Sequence, residues 1–505
     1  MRRIAAFCLF LFSFNGFAQN TFISDSLDAY ITREMQRQGV PGVAVAVVKD
    51  GKVVVLKGYG VRDITRPQEK VDENTLFQIA SNTKAFTGTA LALLESQKRL
   101  SLDDKVTQYL KDFKLLNPLA AGEASIRDML SHRSGFETFQ GDFLNWNSNL
   151  SRRDIIARMG RLQPTYSLRA KYGYCNSCFL TAGEVIPVVT DTSWDAYLQT
   201  HFFRPLQMTR TSTTTAALRA ESNRYRPHTL SDGKLVAIEY ANTDNIGPAG
   251  SINSSVKDLA NWVLMQLDSG RFAGRRVVPF SVIQKTRSSN TVVGDIQSRL
   301  FPSSHFQTYG LGWFMNDYNG KKLIHHSGGS NGCVTNTYLV PELNLGVVVL
   351  TNTDHNSLYE MLCRQVIDAY MGLPYRNYSQ IAWQSGRASE EKALAELREK
   401  RAQARRSSGP TLPLKAFTGA FRNDFYGNLT IREEKGRLNM YLTHHPQVVG
   451  RLEHLKDNTF LCTYSDPVMG VKELPFEVTG NEVKAITVSV NDFIDFKTYR
   501  FARVP

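Results

Sequence analysis

The sequence predicts an α/β fold: an antiparallel sheet flanked by helices, a mostly helical subdomain, and a small C-terminal β-barrel. Three observations point there. β-branched strand patterns stand early, at 43–48 and 52–59, and return late, at 321–326, 334–340 and 345–350. Between them, the stretch from 81 to about 267 is largely helix-favouring. Beyond Ser407-Ser408-Gly409-Pro410 the chain changes to short alternating strands that run to its end.

Each element has a local reason. Residues 24–38 carry Leu27, Ile31 and Met35 at i, i+4 and i+8, the spacing of one helical face. Asp50-Gly51 between two β-branched runs is a hairpin signal, because the favoured turn needs positive φ at both central residues. The simplest closure pairs this hairpin with the late strands in one sheet, with Pro341-Glu342-Leu343-Asn344 turning between the last two. The helix that follows Ser81 then packs on that sheet beside the helical insert. Residues 389–406 are charged and helix-prone, and a linker is expected where Ser407 to Pro410 and Pro413 break them. Further on, Leu429/Ile431 and Leu438/Met440/Leu442 alternate around Glu434-Lys435-Gly436. Phe476/Val478 and the residues from Phe493 continue the pattern around Gly480-Asn481. The expected divisions are 1–18, 19–375, 376–413 and 414–505.

The first division reads as a secretory signal, with Arg2 and Arg3 before an apolar run and Gly16-Phe17-Ala18 as the cleavage site. An exported protein, periplasmic or secreted after cleavage near Ala18, is expected. No apolar run reaches the ~18 residues a membrane span requires, so none is expected in the mature form. The 505 residues are 42% hydrophobic and 21% charged, which excludes wholesale disorder. The net charge of +13 is scattered and comes with no nucleic-acid motif, so no nucleic-acid partner is expected. Without Cys8, Cys175, Cys178, Cys333, Cys363 and Cys462 remain, an odd number that makes no disulfide framework. Cys175-x-x-Cys178 has no second pair to complete a zinc site. His444 and His445, adjacent in a strand, point to opposite faces. Neither a metal nor a cofactor is expected, and structural or oligomer-forming roles fall to the C-terminal domain.

The chemistry lies first in Ser81-Asn82-Thr83-Lys84, at the mouth of a helix. Residues i and i+3 share a helical face, so the Lys84 ammonium can fold back on the Ser81 hydroxyl. A hydroxyl becomes a nucleophile when a neighbour takes its proton, and lysine can do so when burial lowers its pKa. Alone, such a pair is more often a helix cap and a solvated lysine. Two companions follow in order: Tyr174-Cys175-Asn176, then His326-Ser327-Gly328-Gly329. A rival serine, Ser330 in Gly328-Gly329-Ser330-Asn331-Gly332, matches a nucleophile elbow but is followed by a strand pattern where that motif needs a helix.

With these motifs the chain resembles the beta-lactamase-related serine hydrolases of the class C type and the penicillin-binding proteins. That family includes class C beta-lactamases, D-alanyl-D-alanine carboxypeptidases, D-aminopeptidases and family VIII esterases. The likeness runs from about residue 22 to 372, through segments 39–46, 126–136, 248–251, 258–262 and 309–313. It implies a beta-lactamase/transpeptidase-like fold with the site in the cleft between its two parts. The C-terminal division resembles the lipocalin-like domains of some relatives.

The resemblance implies Ser81 as nucleophile, Lys84 and Tyr174 as its proton-handling partners, and Asn176 as a ligand of Lys84 or the substrate amide. It implies oxyanion donors at the N–H groups of Ser81 and Gly329, on the strand carrying His326, Ser327 and Gly328. Whether Lys84 or Tyr174 takes the first proton stays open at this level. Where family beta-lactamases usually carry lysine, this chain has His326, which argues against efficient beta-lactam hydrolysis. Its ordinary pKa of about 6.5 predicts tighter binding of carboxylate-bearing substrates toward pH 6. The implied function is an exported serine hydrolase that cleaves an amide or ester through a Ser81 acyl-enzyme, on a small peptide or ester. D-amino-acid peptidase, carboxypeptidase and esterase are the leading forms; the alternatives are a beta-lactamase or a non-catalytic penicillin-binding-like receptor. All three motifs precede residue 333, so a chain ending near Gly409 is expected to retain activity on a small ester.

Overall fold

The computed structural model describes residues 21–296 and 298–505, so the signal segment expected at 1–18 lies outside the described residues. Helix α1 (Leu27–Gln38) buries Leu27, Ile31 and Met35, the three positions whose spacing predicted it. It leads into the hairpin of β1 (Gly42–Lys49) and β2 (Lys52–Gly60), whose turn holds Asp50 at φ 51° and Gly51 at φ 73°. Helix α2 (Thr83–Ser96) carries Lys84 and is buried over most of its length. Helices α3 (Asn176–Gly183) and α4 (Val256–Leu267) follow within the helical insert.

The sheet resumes with β3 (Thr291–Asp295), β4 (Phe306–Tyr309), β5 (Phe314–Tyr318), β6 (Lys321–Ser330), β7 (Cys333–Val340) and β8 (Leu345–Thr351). Their order is β2-β1-β8-β7-β6-β5-β4-β3, and the named pairs are antiparallel. The early hairpin therefore closes on the late strands, with Val43 opposite Thr351 and Lys49 opposite Leu345. The period-2 alternation of β1 feeds two cores. Val43, Val45 and Val47 pack toward α1 and α5 (Leu358–Met371). Ala44, Ala46 and Val48 pack toward the helical insert. Strands β3 to β5 were not anticipated, because residues 291–318 lack a continuous β-branched run.

Helix α6 (Tyr378–Arg406) then leads to a closed barrel of eight strands. They are β9 (Gly419–Asn423), β10 (Gly427–Glu434), β11 (Arg437–Leu442), β12 (His445–Lys456), β13 (Thr459–Tyr464), β14 (Val471–Thr479), β15 (Glu482–Val488) and β16 (Tyr499–Arg503). Closure leaves no free sheet edge. No helix among the described residues is long and apolar enough to cross a membrane. The five cysteines among the described residues are buried and unpaired.

One strand expectation fails. The chain from Phe493 does not continue the ladder; it turns on Asn491, whose side chain accepts from Phe493 N at 3.1 Å and whose carbonyl accepts from Ile494 N at 2.8 Å. The resulting loop between β15 and β16 leaves the barrel and enters the helical insert. His445 also serves inside the molecule. Its ring stacks on Phe143 at 5.4 Å, its Nε2–H donates to Trp146 O at 2.7 Å, and its Nδ1 accepts from Tyr426 Oη at 2.6 Å. Burial lowers its pKa to about 4, which keeps this tautomer neutral.

Candidate active site

Ser81 lies in the single 3-10 turn Ala80–Asn82 that opens α2. The preceding Ala80 sits at φ 47°, a left-handed conformation that costs a non-glycine residue of order 1 kcal/mol. The turn is held against the sheet. Asn82 Nδ2 donates to Thr335 Oγ1 at 2.9 Å, and Thr335 Oγ1 donates to Ile79 O at 3.1 Å. Gly328 permits that approach, since a Cβ there would fall 2.2 Å from Ile79 O and 2.5 Å from Thr335 Oγ1. The motif strand and the serine turn are thus packed backbone on backbone.

Lys84 is completely buried, with Nζ 3.0 Å from Ser81 Oγ, 2.7 Å from Asn176 Oδ1 and 2.8 Å from Ala249 O. Desolvation lowers its pKa to about 7, against the opposing pull of Asp142. Asn176 opens α3, and its Nδ2 donates to Asp142 Oδ2 at 2.5 Å. The carboxylate fixes the amide's orientation and turns Oδ1 toward Lys84.

Tyr174 lies against Lys84, its ring centroid 4.6 Å from Nζ. Burial raises its pKa far above the ordinary phenol value, offset in part by a hydrogen bond with Ser81. The phenol is therefore protonated near neutrality. The segment with His132 holds the Tyr174 loop. Cys175 N donates to His132 Nδ1 at 3.0 Å, Gly173 N donates to His132 O at 2.9 Å, and the imidazole lies 4.3 Å from the Tyr174 ring.

His326 departs from expectation. It is buried, its Nδ1–H donates to Ser327 O at 2.7 Å, and its Nε2 accepts from Tyr309 Oη at 2.9 Å. Burial and the nearby Lys84 push its pKa well below 6.5. A ring so held does not gain charge between pH 6 and 8, so the expected titration toward carboxylate binding is corrected. His325, on the other face, stacks on Tyr338 at 4.6 Å. Ser330 ends β6, buried, with its hydroxyl donating to Gln78 Oε1 at 3.1 Å, and β7 follows it directly. The nucleophile-elbow geometry is absent there.

The cleft encloses about 320 Å³. Ser81, Tyr174, Asn176, His326, Ser327, Gly328 and Gly329 all line it, so the serine turn, the Tyr174 loop and β6 meet at one place. Lys84 stands directly beneath them. Sequence reasoning missed the rest of the wall: Phe139, Asp142 and Trp146 from the helical insert, and Phe493 from the barrel. The Phe493 ring lies 5.6 Å from that of Trp146, and a Cβ on Gly329 would fall 3.1 Å from Phe493 Cζ. Ala249 was legible only as part of segment 248–251, which turns out to supply a carbonyl to Lys84. Among the described residues no cluster of three or more His, Cys, Asp or Glu side chains is arranged to hold a metal.

A family model described as "Beta-lactamase" matches residues 27–372, and one described as "Domain of unknown function (DUF3471)" matches 403–503. Unguisins hydrolase ungD' of Aspergillus campestris is 28% identical over 435 residues, 81% of this chain and 78% of that protein. Protein flp of Staphylococcus aureus (strain MW2) is 27% identical over 364 residues, 70% of this chain and 68% of its own length. The octameric penicillin-binding protein homologue from Pyrococcus abyssi superposes with a TM-score of 0.61 at 21% identity, covering 94% of this chain and 99% of that one. SurE, also solved with D-Leu, covers 95% of this chain and 99% of its own, with a TM-score of 0.56 at 17% identity for the first of its two structures.

Proposed function

Because this chain belongs to the beta-lactamase family and has that family's serine-hydrolase chemistry on amides or esters, we propose that it is an exported enzyme working through a Ser81 acyl-enzyme, with peptides containing D-amino acids as its substrates. The observation that carries the mechanism is the contact set of Lys84. Asn176 Oδ1 and Ala249 O can only accept hydrogen bonds, so they occupy both N–H groups of a neutral amine. In that neutral form the remaining lone pair faces Ser81 Oγ, 3.0 Å away, whereas in the ammonium the third N–H donates to it. Lys84, with its pKa near 7, is then the first base, while Tyr174 keeps its proton.

Ser81 Oγ attacks the substrate carbonyl as its proton passes to Lys84 Nζ. The oxyanion takes the backbone N–H groups of Ser81 and Gly329. The C–N or C–O bond breaks, the leaving group takes the Tyr174 proton, and Lys84 returns one to Tyr174. Water then repeats the sequence on the acyl-enzyme and releases the acid. Apolar walls from Trp146 and Phe493 favour a compact hydrophobic acyl group.

The hydrolase reading is supported by the relative named Unguisins hydrolase, and the D-amino-acid reading by SurE, solved with D-Leu. A second reading, hydrolysis of a beta-lactam amide, is favoured by the family match over residues 27–372. A covalent serine probe, D-alanyl peptides, nitrophenyl esters and a chromogenic cephalosporin, each tried on the protein and on Ser81→Ala, test both. Failure of the unaltered protein to label or turn over any of them would make it a receptor. Cephalosporin turnover exceeding that of the peptides would select the second reading.

A further inference from the structure

We infer that Asp142 is a positioning residue for Lys84, acting through the Asn176 amide, and that Asp495 of the barrel holds Asp142 in place; this rests on the acyl-enzyme reading above. Asp142 is buried in the one-turn helix Asp142–Asn145 and touches the active lysine only through Asn176. Its other oxygen accepts from Asn145 Nδ2 at 3.2 Å, and that same amide donates to Ser177 Oγ at 2.8 Å, on the helix that carries Asn176. An amide has one acceptor end. With its donor end held by Asp142, Asn176 can only offer oxygen to Lys84, which is what leaves the amine's lone pair for Ser81.

The barrel enters through Asp495, also buried. Its Oδ2 accepts from Gly141 N and Phe143 N, each at 3.1 Å, and from Tyr499 Oη at 2.7 Å. One barrel carboxylate thus holds the backbone on both sides of Asp142. The Asp495 carboxylate also opposes ionisation of Asp142. Burial first, then Asp495, raises the pKa of Asp142 to about 7, and burial raises that of Asp495 to about 6.

The other groups facing this array are quiet. Burial raises Tyr174, Tyr499 and the Cys175 thiol, and lowers His132 and His326, so all five stay neutral near pH 7. Lys497 pairs with Glu137 at the rim. Lys84, Asp142 and Asp495 are therefore the groups that exchange protons around neutrality.

The two carboxylates act on Lys84 with opposite sign. Asp142→Asn removes the anion that favours the ammonium, so Lys84 loses its proton at lower pH. Asp495→Asn removes the anion that discourages ionisation of Asp142, so Lys84 holds its proton to higher pH. The experiment measures kcat/KM for a nitrophenyl ester and the labelling rate of a fluorophosphonate probe from pH 5 to 9. It uses the full chain, the two asparagine variants, Asp142→Leu and Ser81→Ala. The acid limb is expected to move down by about one pH unit in Asp142→Asn and up by a smaller amount in Asp495→Asn. Asp142→Leu should lose tenfold or more of the plateau rate, because Asn176 is released; Asp142→Asn keeps one acceptor for Asn176 but sets an amide against Asn145 Nδ2, so it should lose plateau rate too, by less than Asp142→Leu. Each limb is read against the unaltered protein, so either asparagine variant tests the idea if the other fails to fold. Unmoved limbs, or limbs that move the same way, with Ser81→Ala inert, would overturn this inference alone. Turnover retained in Ser81→Ala would overturn the acyl-enzyme reading and this inference with it.

Discussion

Removing the barrel should inactivate the enzyme, although every motif residue lies before Gly409 and that position alone suggests the opposite. Segment 138–147 forms one wall of the cleft, and the barrel covers its back. Phe143 is fully buried, stacked on Tyr426 at 4.7 Å and 14°, and Trp146 is 8% exposed against Phe493. Exposing two such side chains costs about 3–6 kcal/mol, taking ~1.5–3 for each. Three backbone groups, Gly141 N, Phe143 N and Trp146 O, lose their barrel side-chain partners with it, at roughly 1 kcal/mol apiece. The sum, about 6–9 kcal/mol, is comparable with the whole stability of a typical domain. The core between the sheet, α1 and α5 contains no barrel residue, so the segment is expected to undock rather than the protein to unfold.

An undocked segment takes Asp142 away from Asn176, and a misplacement of about 1 Å in such a site can cost 10²-fold in rate. The assay is ester hydrolysis and covalent labelling of a chain ending at Gly409, with circular dichroism and limited proteolysis to establish its fold. New cleavage confined to 138–147, with at least a hundredfold loss of kcat/KM, is expected. In the full chain, Phe493→Ala should raise KM several-fold and leave the proteolysis pattern unchanged. A folded truncation with kcat/KM within about threefold of the intact protein would refute the reasoning.

The remaining expectations concern the motif residues. Ser81→Ala should abolish turnover and labelling, while Ser330→Ala should retain most turnover and lose about 1 kcal/mol of stability with its buried hydrogen bond to Gln78, read as a lower Tm. Lys84→Ala and Tyr174→Phe should combine to little more than the worse single defect, because both handle one proton; simple multiplication of their effects on kcat would show independent roles. With neutral Lys84 as the proposed base, kcat/KM should fall as pH drops through about 7. Kd for a carboxylate-bearing substrate should show no histidine step between pH 6 and 8, because His326 stays neutral; a step lost in His326→Gln would contradict that assignment.

What the sequence revealed and what it hid divide along physical lines. The hairpin at Asp50-Gly51 was legible because a two-residue turn is local, and α1 because its burial repeats with the helical period. Ser81, Lys84, Tyr174 and Asn176 were legible because each chemistry-bearing type stands at a fixed short spacing. The neutrality of His326 was not, because a residue type carries no record of burial or of a Tyr309 hydroxyl on its ring. Strands β3 to β5 were hidden because they are short and their apolar positions do not alternate over a long enough run. Phe493 was misread for a related reason. It continued a plausible strand alternation, and only Asn491 turning the chain removes it from the ladder.

The hidden part is also what completes the site. A cleft between a sheet and a helical insert has a wall with two sides: segment 138–147 carries Phe143 on the far side and Trp146 at the cleft edge, both too apolar to be left to water. Something must cover them, and here the barrel does, with Tyr426 and His445 against Phe143 and Phe493 against Trp146. The same docking supplies Asp495, which ties down the amides on either side of Asp142. The short spacings that single out the proposed nucleophile and base therefore do not by themselves hold those groups in place. Asp142 restrains Asn176, Asn176 orients Lys84, and the first restraint in that series comes from a residue more than 400 positions along the chain from Ser81.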